Sequence, residues 1–147
     1  MQRDIELTWF YPYPAAMVWQ CLTEGDLIAE WLMKNDFKPV VGHKFTFTAK
    51  PVPGWNGTVF CEVVEIIPLQ KISFTWRGGP EAGVITMDTK VTWTLNEKEN
   101  GTELILEHTG FSGLKNFFTS FILENGWKKH IVKRFATTLV KIANHGK

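Results

Sequence analysis

The sequence predicts an α+β domain: a curved antiparallel β-sheet around a long C-terminal α-helix, with two short helices after the first strand. Three observations carry that expectation. Between residues 44 and 108, segments that alternate apolar and polar side chains are separated by turn-forming residues. From about Leu114 the apolar period changes to that of a helix. Ahead of the alternating run, an initial strand pattern is followed by two short amphipathic helical patterns.

Residues 4–11 open the chain as a strand, with Ile5, Leu7, Trp9 and Tyr11 on one face. Pro12 and Pro14 end it, and Pro14 suits the first position of a helix, where its missing N–H costs nothing. Val18, Trp19 and Leu22 give that helix an apolar side. Thr23 is the expected cap of a second helix, with Asp26 at the capping-box position and Leu27, Ile28 and Trp31 as the buried side. Neither helix is long enough to stand alone.

About five further strands follow. Phe45 and Phe47 alternate with Lys44, Thr46 and Thr48. Asn56-Gly57 predicts a tight turn with positive φ at both central residues. The strand from Thr58 to Ile67 has a mixed phase: Phe60, Val64 and Ile66 share a face with Glu62, and Val63 lies opposite. A β-bulge near Val63-Val64 resolves the conflict. Ile72, Phe74 and Trp76 share the next apolar face, and Gly78-Gly79-Pro80 turns the chain. Ile85, Met87, Val91, Trp93 and Leu95 alternate against polar neighbours. Asn100-Gly101 makes another turn, after which Leu104, Leu106 and His108 point one way.

In the last segment Trp127, Ile131, Phe135, Leu139 and Ile142 form one stripe, with Lys128, Lys129, Lys133, Arg134 and Lys141 off it. The helix is expected to end near Asn144, with Gly146 as its stop. Such a helix is the natural cover for the dry face of an antiparallel sheet.

The 147 residues fit one domain, 1–147, with a core that needs neither disulfide nor metal. Apolar residues make up 44%, and the 11 Phe and 7 Trp are numerous enough to fill a core or line a ligand cavity. A net charge of +1 argues against nucleic-acid binding, which draws on many phosphate contacts. Cys21 and Cys61 lie 40 positions apart without metal spacing and read as free buried thiols. His43, His130 and His145 gather no metal ligands either. The charged start, Met1 to Glu6, reads as no export signal, and no stretch spans a bilayer, so a cytoplasmic protein without stable membrane insertion is expected. Asn56-Gly57-Thr58 and Asn100-Gly101-Thr102 then read as turns rather than glycosylation sites.

Several motifs, in order, cover nearly the whole chain. Pro14, Val18-Trp19, Thr23 and Trp31 resemble the opening of START-like (SRPBCC, birch-pollen-allergen-like) domains. Ile72-Ser73-Phe74-Thr75-Trp76, Gly101-Thr102-Glu103-Leu104, Glu107-His108-Thr109-Gly110-Phe111 and Gly126-Trp127 are similar to the Aha-type family, named for the activator of the ninety-kilodalton heat-shock-protein ATPase. The resemblance implies a helix-grip fold with a cavity between sheet and helix. It implies no single activity, since members include lipid carriers, polyketide cyclases, hormone receptors and co-chaperones. The eukaryotic activators carry an additional N-terminal domain that 147 residues do not accommodate.

Phase and resemblance together make Trp31, Phe45, Phe47, Phe60, Phe74, Trp76, Met87, Trp93, His108, Trp127, Ile131 and Phe135 the candidate ligand-binding set. The ligand class is an apolar small molecule: a lipid, or a polyketide- or flavonoid-like ring. A stress-related chaperone is the second candidate partner, and a cyclase-type enzyme with His108 as base the third reading. No phosphate loop, zinc motif or nucleophile elbow occurs, so no cofactor is implied and no catalytic residue is assigned.

Overall fold

The computed structural model describes residues 3–145. Seven strands form one antiparallel sheet in the order β1-β7-β6-β5-β4-β3-β2. They are β1 (Ile5–Tyr11), β2 (Lys34–Asn35), β3 (Lys44–Thr48), β4 (Thr58–Ile67), β5 (Lys71–Gly78), β6 (Met87–Lys98) and β7 (Gly101–Thr109). Between β1 and β2 lie α1 (Ala15–Thr23) and α2 (Gly25–Trp31). The C-terminal helix consists of α3 (Gly113–Lys129), a π-helical segment (His130–Phe135) and α4 (Ala136–His145). This is the helix-grip arrangement. Its one unanticipated strand, β2, has two residues, too few to show an alternation.

The stripe Trp127, Ile131, Phe135 and Leu139 is buried against the sheet and α1–α2, with Ile142 packed at its margin. The four-residue spacing would drift about 40° per step around a regular α-helix. The π-helical segment, with its wider turn, takes up that drift between Trp127 and Leu139. The Ile131 carbonyl within this segment accepts a hydrogen bond from the Tyr11 hydroxyl at 2.8 Å. The expected stop at Gly146 lies outside the described residues.

Several local expectations are corrected. In β4 it is Val59, Cys61 and Val63 that point inward, while Phe60 is 44% exposed on the outer face with Val64. The bulge is present, between Val63 and Glu65, and returns Ile66 to the core side. It lies downstream of Phe60 and so leaves that ring outside. Thr23 caps nothing: it is the last residue of α1, and its hydroxyl donates to the Trp19 carbonyl at 2.7 Å. At Asn56-Gly57 only Gly57 has positive φ, +91°, and the Asn56 side chain instead accepts from the Thr58 N–H at 3.1 Å. The second Asn-Gly pair is split. The β6–β7 turn is Glu99-Asn100, and Gly101 already pairs with Lys98 in β7. Glycine is required there because a Cβ would lie 2.4 Å from the Tyr11 carbonyl oxygen. Ile85 precedes β6 and is exposed.

Candidate functional site

The concave side of the sheet and the C-terminal helix meet in a continuous set of rings. Trp93 on β6 touches Trp31 of α2 edge-on at 5.7 Å and Trp127 of α3 at 5.6 Å. Trp76 on β5 reaches Trp127 at 5.3 Å and Phe47 on β3 at 5.5 Å. Phe45, Phe47 and Phe74 continue the set across the sheet at 5.4–6.1 Å. Phe135 closes it against Trp31 at 4.9 Å and Tyr11 at 5.1 Å. These offset and edge-on pairs are the arrangements the aromatic quadrupole favours.

Of the twelve candidate residues, ten are buried in this interior. Met87, at the start of β6, is half-buried against it. Phe60 is not part of it. The candidate set left out Tyr11, Phe37, Phe111 and Thr89, which also face inward. Thr89 was legible, since it falls between Met87 and Val91 in the alternation of β6. Phe37, in the loop after β2, has no periodic signal.

His108 is fully buried on β7. The Trp127 indole N–H donates to its Nδ1 at 3.1 Å. On its other side, Nε2 lies 2.7 Å from the Thr89 hydroxyl, which itself donates to the Trp76 carbonyl at 2.8 Å. The hydroxyl proton is committed to Trp76, so Nε2 carries the hydrogen and donates to Thr89 Oγ1. The whole chain then runs in one direction: Trp127 N–H, His108, Thr89, Trp76 C=O. Burial pushes the imidazole pKa down to about 3. His108 is thus a neutral, fully hydrogen-bonded core residue whose only lone pair is already used. That arrangement does not provide a general base. Glu62 stands on the outer side of β4, between inward-facing Cys61 and Val63, and does not reach His108.

Both thiols are buried and free. Burial, then Glu24 and Glu30, pushes Cys21 up to about 12, and burial followed by Asp36 raises Cys61. Neither is an activated nucleophile. Among the described residues, no group of three His, Cys, Asp or Glu is placed to hold a metal ion. No helix of the described residues is long and apolar enough to cross a membrane.

Two surface depressions lie outside the indole set, and the first touches the ring set only at Phe45. One, of about 280 Å³, is lined by charged Asp36, Lys44, Glu62 and Arg77 on β3–β5 and their approaches, together with Phe60. The other, of about 310 Å³, lies between Pro12–Pro14 and the β6–β7 turn. Neither is lined by Trp76, Trp93 or Trp127.

Fold and interior define a START-like domain in which a curled sheet closes over aromatic side chains and a C-terminal helix. More particularly, the chain belongs to the family described as activator of Hsp90 ATPase homolog 1-like protein, whose model matches residues 12–140. Protein MLL2253 from Mesorhizobium loti, a crystal structure, is 32% identical over 95% of this chain and 98% of that one, with a TM-score of 0.84. Protein BH1534 from Bacillus halodurans is 25% identical over 95% of this chain and 99% of that one, TM-score 0.74. The Aha1 dimer from Colwellia psychrerythraea shares the fold, at 18% identity over 88% and 91% of the two chains and a TM-score of 0.70. No curated protein matches.

Proposed function

We propose that the domain binds an apolar small molecule, ring-containing or with an acyl chain, between the sheet and the C-terminal helix, and performs no reaction on it. The observation that carries this reading is the convergence of Trp76, Trp93 and Trp127 from three elements beneath a lightly anchored α3. Within α3 only Ser120 and Trp127 are buried. Displacing α3 about the π-helical segment would open the indole set without disturbing α4. Trp31, Phe47, Phe74 and Phe135 then act as fixed walls. His108 acts from behind, orienting the Trp127 indole, and the closed hydrogen-bond chain through it speaks against a catalytic role.

Burying about 300 Å² of ligand surface contributes roughly 7 kcal/mol at ~25 cal/mol per Å². Ordering and opening take back several kcal/mol, so micromolar or weaker affinity is expected. The test is tryptophan emission against a panel of fatty acids, flavonoids and polyketide-like rings, repeated with Trp93→Ala. A shift that the substitution reduces supports the reading. No shift from any compound defeats it.

The family description favours a second reading, a chaperone-associated interaction module. It predicts retention of the protein by a heat-shock ATPase in a pull-down, together with silence in the fluorescence panel.

A further inference from the structure

The helix that covers the sheet is apolar on its solvent side as well. Along α3, Leu114 is 58% exposed, Phe118 60% and Ile122 72%, with Phe121 also exposed. At about 100° per residue these side chains share one face. Half-buried Phe117 joins them, its ring 5.6 Å from Phe118 and 5.5 Å from Phe121. On the opposite side of α3, a 2.7 Å hydrogen bond from the Asn116 amide to the Thr86 carbonyl ties the helix to the β5–β6 connection. A helix of a globular domain normally turns polar side chains outward, and a contiguous exposed apolar patch marks an interaction surface.

The charges around the patch are predominantly positive. Exposed Lys115 lies at its N-terminal end, and exposed Lys128 and Lys129 continue the same face beyond Asn125. Lys133 and Arg134 follow one turn later. From 113 to 135 there are five cations (Lys115, Lys128, Lys129, Lys133, Arg134) and one carboxylate, Glu124, in a chain of net charge +1. Glu124 is held by Arg3 at 2.8 Å and Lys128 at 3.5 Å. Arg3 in turn lies 3.8 Å over the Phe121 ring, adding a cation at the edge of the patch.

We propose that this face of α3 docks reversibly on an anionic lipid surface. The stripe from Leu114 to Ile122 is about 12 Å long at 1.5 Å per residue. That is far short of the ~30 Å hydrocarbon core but enough to lie along the interface. Phe, Leu and Ile enter the acyl boundary while lysines at both ends meet the headgroup phosphates. The charge complementarity selects an acidic surface, because apolar burial alone would serve a neutral one equally. The proposal does not depend on the interior binding a ligand, and ligand-free protein suffices to test it.

The experiment is co-sedimentation with phosphatidylcholine vesicles and with equimolar phosphatidylcholine–phosphatidylglycerol vesicles. The bound fraction on the acidic vesicles is expected to exceed that on neutral ones about tenfold or more, and to fall as salt rises. Phe118→Asp with Ile122→Asp should reduce binding to acidic vesicles about tenfold. Lys115→Glu with Lys129→Glu should remove the preference for acidic over neutral lipid. All four positions are exposed, so each variant's melting temperature should match the parent's, separating lost docking from lost fold. Absence of binding to acidic vesicles, equal binding to both, or undiminished binding by either variant overturns the proposal. So does a dimer in sedimentation velocity that Phe118→Asp dissociates, since a second copy would then cover the stripe.

Discussion

The imidazole of His108 is held neutral by its surroundings, and that has a consequence for pH. Its pKa falls from 6.5 to about 3 in the folded protein because burial penalises the charged form. Between those values the unfolded chain binds a proton that the folded chain does not, so stability rises with pH there. His108 contributes its full share above about 6.5 and loses it progressively as the pH falls towards 3. Replacing it with a group that does not titrate, His108→Gln, lowers stability at neutral pH but flattens the acid side. Chemical denaturation across that window should show a slope smaller by up to about 1.4 kcal/mol per pH unit. His130, also lowered chiefly by burial, shares the sign and remains in the variant. An unchanged slope would mean His108 is charged or solvated in the native state. The inward phase of His108 was legible in the sequence. Its pairing with Thr89 was not, because Thr89, though inward by phase, reaches it diagonally: Val91 is the residue directly opposite His108 in the β6–β7 register.

At the scale of the element, the C-terminal helix is where pattern and structure agree best and also where they part. Trp127, Ile131, Phe135 and Leu139 were readable as one stripe because burial enforces the spacing regardless of helix type. The π-helical turn left no mark, since it is a change of hydrogen-bond partner rather than of residue class. β4 failed for the opposite reason. Phe60 has the composition of a core residue, and its outward direction is set by the register with β3 and β5, through Thr46 and Arg77. A one-residue change of phase reverses every side chain. Phe135 anchors the helix between Tyr11 and Trp31. Phe135→Asp removes those contacts and buries an unpaired carboxylate, so a loss of several kcal/mol is expected. Thermal unfolding checks this, and a melting temperature equal to the parent's would show that the helix does not pack on α2 and β1.

Over the whole molecule, the two ends of the C-terminal helix are anchored unequally. α4 packs on α1 and α2 with Thr138 and Leu139 buried, and Lys141 pairs with Glu30. α3 meets β1 and the π-helical segment, and before Trp127 its buried residue is Ser120. Local opening follows such differences, because a segment with little buried apolar area can leave the fold without unfolding the rest. Native-state hydrogen exchange should therefore find the amides of Phe117–Asn125 exchanging about tenfold or more faster than those of Ala136–Ile142. The β6 and β7 amides opposite Trp127 should stay protected, since the hairpin is paired along its length from Lys90–Thr109 to Lys98–Gly101. A compound that shifts tryptophan emission should slow exchange in α3 more than in α4, because it is α3 that closes over it. Equal protection of α3 and α4 in the free protein would remove the opening on which access to Trp76, Trp93 and Trp127 depends.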